Sequence, residues 1–340
     1  MPDTLEGLVI ARAHGYFVVR SDDGATRLCV VRGKLRRARA QARKPGLAHP
    51  TGRPTTKVPS KPTPAISDIP VEEALAIIAV GDRVRFTPDG NTGGAIESIM
   101  PRRNKLARAA IESTEEQILL ANLDLAVLVF AVREPRPHFG LLDRYLVVTE
   151  DSDIETVLCF TKVDLGIDPD VAEMIDLYRR LGYTTLQTSL VWDQGVRELQ
   201  ALLRDRVALL SGPSGVGKSS LLNTIEPDAA QRVGEISLAT GKGRHTTTGV
   251  RLFPMQQGGW LADSAGIREF APWRIADDRL AAAFVEFRPY LGQCEYDDCR
   301  HDEDAQGCAV TAALDAGEIV LSRYESYLRL LAEIPEETFW

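Results

Sequence analysis

Gly212-Pro213-Ser214-Gly215-Val216-Gly217-Lys218-Ser219 fits the spacing G-x-x-x-x-G-K-[ST] without a mismatch. Glycines at these places let successive backbone N–H groups curl around an anion. The start of a following helix adds its partial positive charge. A lysine so placed reaches the β- and γ-phosphates of a nucleotide, and the Ser219 hydroxyl is suited to Mg²⁺. Ser220 comes next and is counted with the phosphate-binding residues. The apolar run Val207-Ala208-Leu209-Leu210 precedes the loop and a helical Ser220-Leu221-Leu222-Asn223 follows it, so the context is strand, loop, helix.

A phosphate loop does not choose the base. Thr161-Lys162-Val163-Asp164 follows the strand-like Thr156–Phe160 and approximates the guanine-reading pattern Asn-Lys-x-Asp. A carboxylate at Asp164 accepts hydrogen bonds from guanine N1 and N2. Adenine offers neither, and would leave the carboxylate unpaired. The Lys162 stem is expected over the base. Thr188-Ser189-Leu190 ends another strand, where a loop touching guanine O6 belongs. Beyond the phosphate loop come Gly243-Arg244-His245-Thr246-Thr247-Thr248 and then Asp263-Ser264-Ala265-Gly266. The second fits D-x-x-G, in which Asp263 holds Mg²⁺ through water and the Gly266 N–H senses the γ-phosphate. The base-reading segment thus precedes the phosphate loop, the reverse of the usual order, as in a circularly permuted GTPase.

A second constellation is Cys294-x₄-Cys299-x-His301-x₆-Cys308. Three thiolates and an imidazole suit one tetrahedral zinc with no open position, hence a structural ion. Cys29 and Cys159 lie in strand-like runs and are expected as small core side chains.

The elements that must position these groups fall into three regions. Residues 1–100 hold five short strand signals, at Leu8–Ile10, Tyr16–Val19, Leu28–Val31, Gly81–Phe86 and Gly94–Ile99. They predict a small barrel of OB type, with an SH3-like barrel also consistent. The stretch from about 39 to 69 has no apolar period and is expected as an insertion. Arg32 to Lys61 carries ten Lys or Arg and no Asp or Glu, a charge pattern suited to RNA phosphates or to a solvated linker. From 101 to 275 strands and helices alternate, as in a parallel α/β sheet: Leu125–Val132, helix Leu141–Val148, Thr156–Phe160, helix Val171–Leu181, Thr184–Thr188, helix Val196–Leu203, Val207–Leu210 and Gly259–Ala262. From 276 to 340 the pattern is helical, with amphipathic stretches at Asp277–Phe287 and Tyr324–Ile334 around the cysteines. The net charge is −8, and no apolar run approaches the roughly 20 residues that span a bilayer.

With these motifs in this order the chain resembles the ribosome small-subunit-dependent GTPase A family. Further points of likeness are Gly7-Leu8-Val9, Gly15-Tyr16, Arg32-Gly33-Lys34, Val80-Gly81-Asp82-Arg83-Val84 and Arg102-Arg103-Asn104. The resemblance implies an N-terminal OB-fold, a permuted P-loop GTPase domain and a C-terminal α-helical zinc domain. It implies hydrolysis of GTP to GDP, stimulated by the small ribosomal subunit during late maturation, with ribosomal RNA as a contact. It also implies His245 as the residue that positions the attacking water, with Lys218 beside the transferred phosphate. Thr247, among the three switch threonines, and Ser219 are taken as Mg²⁺ ligands. Three features depart from the family: Thr161 replaces the usual Asn, Ser264-Ala265 replaces the usual Thr-Pro, and the basic insertion is extra. Ile267 stands where Ras-like enzymes carry a water-orienting Gln, as the family shares. A monomer in the cytoplasm, without membrane association, is expected. Rival readings are an RNA-binding assembly factor with weak or lost hydrolysis, suggested by Thr161 and Ile267, and a P-loop ATPase or metabolic kinase, opposed by Asp164.

Overall fold

The N-terminal strands alternate inward apolar and outward polar residues, the period-2 pattern of a sheet with one buried face. In the computed structural model, which describes residues 4–13, 16–31, 78–109, 116–227, 250–262, 275 and 277–334, they are β1 (Leu5–Ala13), β2 (Tyr16–Ser21), β3 (Thr26–Val31), β4 (Arg83–Asp89) and β5 (Gly93–Ile99). They close a barrel in the order β1-β2-β3-β5-β4, with β1 pairing antiparallel to β4. β3 and β5 run parallel. That crossing belongs to a Greek-key OB barrel and not to an SH3-like meander, so the strand order settles the choice that strand count left open. Val9, Phe17, Val19, Cys29, Val84, Phe86 and Ile96 fill the interior. The buried Asp82 carboxylate accepts from the Ala79 N–H at 2.8 Å and from Arg102 Nε and Nη2 at 2.6 and 2.7 Å. The Arg102 and Asp82 of the family likeness are therefore a desolvated pair that pins the end of the barrel. The basic stretch 32–77 lies outside the described residues.

β6 (Lys105–Ala109) and β7 (Glu116–Ala121) pair with each other. The second compact unit is built on β8 (Leu125–Ala131), α1 (Phe139–Asp151), β9 (Thr156–Thr161), α2 (Pro169–Arg180), β10 (Thr184–Gln187), α3 (Val196–Leu203), β11 (Val207–Ser211), α4 (Lys218–Ile225), β12 (Leu252–Pro254) and β13 (Trp260–Ala262). The sheet order is β10-β9-β8-β11-β13-β12, and β10-β9-β8-β11-β13 are all parallel neighbours. Every residue of β8 and β9 is buried, as expected of continuous apolar strands covered on both faces.

The same unit continues into α5 (Asp277–Ala283), α6 (Ala309–Asp315) and α7 (Leu321–Leu331). The amphipathic stretch predicted as a helix over Asp277–Phe287 stops at Ala283; turns follow through Phe284 and Phe287, which keep their apolar side chains inward. Tyr327 packs edge-on to both rings, at 5.5 and 5.0 Å between centroids. The helix predicted from Tyr324 begins three residues earlier, at Leu321. No described helix is long and apolar enough to cross a membrane.

Candidate nucleotide site and metal cluster

After β8 the chain moves to β9 and β10 on one side, whereas after β11 it reaches β12 and β13 on the other. The carboxyl ends of β8 and β11 therefore flank a topological switch point, the place where open α/β sheets bind ligands. Both nucleotide motifs in the described residues lie there.

The phosphate loop leaves β11 at Ser211 and enters α4 at Lys218. Gly212 has φ of 149°, and a Cβ there would collide with the Val129 carbonyl of β8. Gly217, at φ 96°, caps α4 and turns its first N–H groups toward the loop. Lys218 Nζ donates to the carbonyls of Gly212 at 2.7 Å and Pro213 at 2.6 Å, so the ammonium closes its own loop. Burial pulls its pKa below the ordinary lysine value; phosphate charge would restore it. Val216 is buried, whereas Ser214, Gly215, Ser219 and Ser220 are exposed at the loop surface.

Thr161 is the last residue of β9, and its hydroxyl reaches across the end of β8. Oγ1 lies 2.5 Å from the Val216 carbonyl in the phosphate loop and 3.4 Å from the Phe130 carbonyl; its single proton goes to the nearer. The bridge between base loop and phosphate loop is thus present with Thr in place of Asn. Lys162, in left-handed conformation at φ 60°, adds a second tie, donating to the Gly215 carbonyl at 2.9 Å and to that of Glu134. Val163 is buried and begins a 3₁₀ turn, Val163–Leu165, that carries Asp164. Asp164 Oδ1 accepts from Ser189 Oγ at 2.6 Å, and Ser189 Oγ in turn accepts from the Trp192 N–H at 3.1 Å. The carboxylate is held in place, with Oδ2 remaining for a base edge.

One supporting residue carried no local sequence signal. Arg133, just past β8, donates to the Leu165 carbonyl at 3.0 Å and pairs with Asp168, which precedes α2. Ser189 gave a weak signal, as the middle of a strand-end triplet. His245, Thr247, Asp263 and Gly266 lie outside the described residues, as do Thr246, Thr248 and Ile267.

The four metal-type side chains do converge. Their ligand atoms all lie within 4.8 Å of one another. Cys294 Sγ and Cys308 Sγ are each 3.5 Å from His301 Nδ1 and 4.0 Å apart. A tetrahedron with bonds of about 2.1–2.3 Å has edges of about 3.4–3.8 Å, so the donor set fits one ion. Burial pushes the Cys299 thiol up to about 12. At Cys308 burial also opposes ionisation, but hydrogen bonds from Thr311, Cys299 and the Val310 N–H together outweigh it and pull the thiol down. A bound cation would take all three as thiolates. His301 sits at φ 55°, its carbonyl receiving the Tyr324 hydroxyl at 3.0 Å, and Tyr327 holds the Arg300 carbonyl at 2.6 Å.

Residues 99–273 match the family model described as RsgA GTPase. The chain belongs to the RsgA GTPase family. As an RsgA GTPase it hydrolyses GTP. It is 44% identical to the small ribosomal subunit biogenesis GTPase RsgA of Moorella thermoacetica, over 75% of this chain and 84% of that protein. The protein of the same name from Azotobacter vinelandii is 42% identical, over 78% of this chain and 77% of its own length. Among solved structures, YjeQ from Thermotoga maritima superposes with a TM-score of 0.71 at 30% identity, covering 98% of this chain and 99% of that one. YloQ, described as a circularly permuted GTPase, gives 0.66 at 28% identity, covering 98% and 95%. The RsgA GTPase match spans both the base-reading turn and the phosphate loop, the two segments joined by Thr161.

Proposed function

We propose that this chain is a GTPase of small ribosomal subunit biogenesis, acting in the subunit's late maturation with GTP turnover stimulated by it. The observation that carries the nucleotide reading is Asp164, fixed by Ser189 beside a phosphate loop to which Thr161 ties it. Guanine binds through Thr161, Lys162, Val163 and Asp164. The phosphates lie on Gly212–Ser220, with Lys218 swinging from its loop carbonyls to the β- and γ-phosphates. Ser219 and Thr247 ligate Mg²⁺, Asp263 and Gly266 respond to the γ-phosphate, and His245 positions the attacking water. That role falls to a histidine because Ile267 offers no hydrogen bond. Turnover is slow in the protein alone and rises when the partner engages the switch segments. The Cys294, Cys299, His301 and Cys308 set holds one structural zinc. The working modules are a barrel of 1–100, a GTPase domain of 101–275 and a metal domain of 276–340. The partner is the small subunit and its RNA, met by a monomer in the cytoplasm away from membranes. The names of the relatives and the basic stretch Arg32–Lys61 support this.

The test is Kd for GDP against ADP, then GTP turnover with and without small subunits. The expectation is a strong GDP preference and a turnover that rises with subunits. A preference for ADP would indicate an ATPase, and tight subunit binding with no turnover would indicate a binding factor. A His245→Ala variant keeping full subunit-stimulated turnover would remove that residue from the mechanism.

A further inference from the structure

Charged residues at positions 143, 144, 150 and 151 of α1 form two sets, 143/150 and 144/151, each spaced by seven and so on one face two turns apart. Each pairs with the C-terminal region: Asp143 with Arg323, Arg144 with Glu333, Glu150 with Arg288 and Asp151 with Arg279. Three of these pairs are partly exposed and weak. The fourth is not. The Arg323 and Asp143 side chains are 1% and 2% exposed, and Arg323 also holds the buried Glu286 through Nε at 2.6 Å. Its guanidinium lies 4.6 Å from the centre of the Phe284 ring. Asp143 Oδ1 takes a further hydrogen bond from the Tyr178 hydroxyl of α2, at 2.6 Å.

One buried carboxylate therefore joins α1, α2 and α7. The first two helices begin on either side of the base-reading turn. α1 follows the Arg133–Glu134 segment that holds Leu165 and Lys162, and α2 follows Asp168. The next residues of α7 beyond Arg323 face the other way along the chain of contacts: Tyr324 and Tyr327 hold the carbonyls of His301 and Arg300 in the metal loop. Adjacent positions on one helix thus grip the metal loop and the frame of the base site. If the metal loop loosens, the tyrosines lose their acceptors and the seat of Arg323 loosens with them.

We propose that the Cys/His cluster and the guanine-reading turn are coupled through α7, with Asp143 and Arg323 as positioning residues: metal in the cluster tightens guanine nucleotide, and nucleotide tightens metal by the same factor. Reciprocity follows because both ligands favour the seated helix. The inference rests on the reading of Asp164 as the base-binding residue.

The test uses the full chain and Zn²⁺. GDP affinity is measured by calorimetry on zinc-loaded and zinc-depleted protein. Zinc affinity is measured by chelator competition with and without saturating GDP. The expected factor is equal in both directions and within about 5–150-fold. A Tyr324→Phe/Tyr327→Phe variant keeps all four metal-ligating side chains and both rings. It should bind zinc and GDP while the factor falls toward one. A factor of one in the unaltered chain overturns the proposal. So does an undiminished factor in the double variant, because the coupling would then run through global stability, as it also would if depletion unfolded the chain. A chain that binds no GDP in any form overturns both the coupling and the reading of Asp164.

Discussion

Replacing Thr161 by Val removes one hydroxyl while keeping a β-branched side chain of nearly the same volume. The hydroxyl is buried and lies 2.5 Å from the Val216 carbonyl. Thr161→Val therefore leaves that carbonyl without its partner, at a cost of about 1–3 kcal/mol. A unit of this size loses about 2–4 °C of Tm per kcal/mol, so Tm should fall by about 2–12 °C. The bond exists without nucleotide, so most of its loss falls on the stability of the free protein. Affinity suffers only as far as the released base loop wanders. The whole cost converted to affinity would be about 5–150-fold, since 1.4 kcal/mol is tenfold. A GDP affinity loss of about tenfold is the expected share. Thr161→Asn, which returns a donor of similar size, should restore both quantities. Differential scanning calorimetry supplies Tm, and titration calorimetry supplies Kd. Unchanged Tm together with GDP affinity within twofold of the unaltered protein would refute the bridging role.

Asp164→Asn exchanges an acceptor for an amide that can donate to a carbonyl at position 2 of the base. GDP binding should weaken by about 100-fold or more while XDP binding improves, read by competition. Gly212→Ala sets a Cβ against the Val129 carbonyl at a positive φ; backbone strain and overlap together should cost about 2–6 kcal/mol in urea unfolding. Arg323→Met strands two buried carboxylates and should cost about 3–5 kcal/mol, whereas Arg144→Met, which breaks a partly exposed pair, should cost less than about 1 kcal/mol. Burial lowers the Lys218 pKa, and nucleotide phosphate raises it again. Nucleotide binding should therefore take up protons as pH rises toward that lowered value, and affinity should decline above it. Calorimetry in buffers of different ionisation enthalpy reads this uptake, which should vanish in Lys218→Met.

The chemistry was more legible than its scaffolding. The phosphate loop announces itself because its geometry demands glycine at set places, and Cys294, Cys299, His301 and Cys308 do so because few other roles need such residues so close together. The continuous apolar run of β8 and the strand at Thr156–Phe160 were equally plain. Other features had no local signature. Thr161 and Val216 are far apart in the chain, so nothing in the spacing of either could reveal their bond. Arg323 lies just before the helix predicted from Tyr324, and Glu150 and Asp151 lie just past the one predicted to end at Val148; only tertiary packing makes these charges a joint. The predicted helix through Phe287 was too long because Phe284 and Phe287 continue an apolar pattern after the backbone has turned. α6 was missed because its Cys308 cap is also a metal-type side chain, and seven residues give little periodicity.

The sheet order also has a consequence for how the chain is made. β8, β9 and β10 are contiguous in sequence and can pair as soon as they emerge. The partner on the other side of β8 is β11, about 80 residues after β8 ends. At synthesis rates of about 5–20 residues per second, that edge waits about 4–16 s. Throughout that interval the newborn protein presents a fully apolar strand with an open row of amides and carbonyls, the kind of edge that recruits other strands. The order of motifs that assembles the base-reading half first thus leaves the centre of the sheet unguarded until the phosphate-binding strand arrives to cover it.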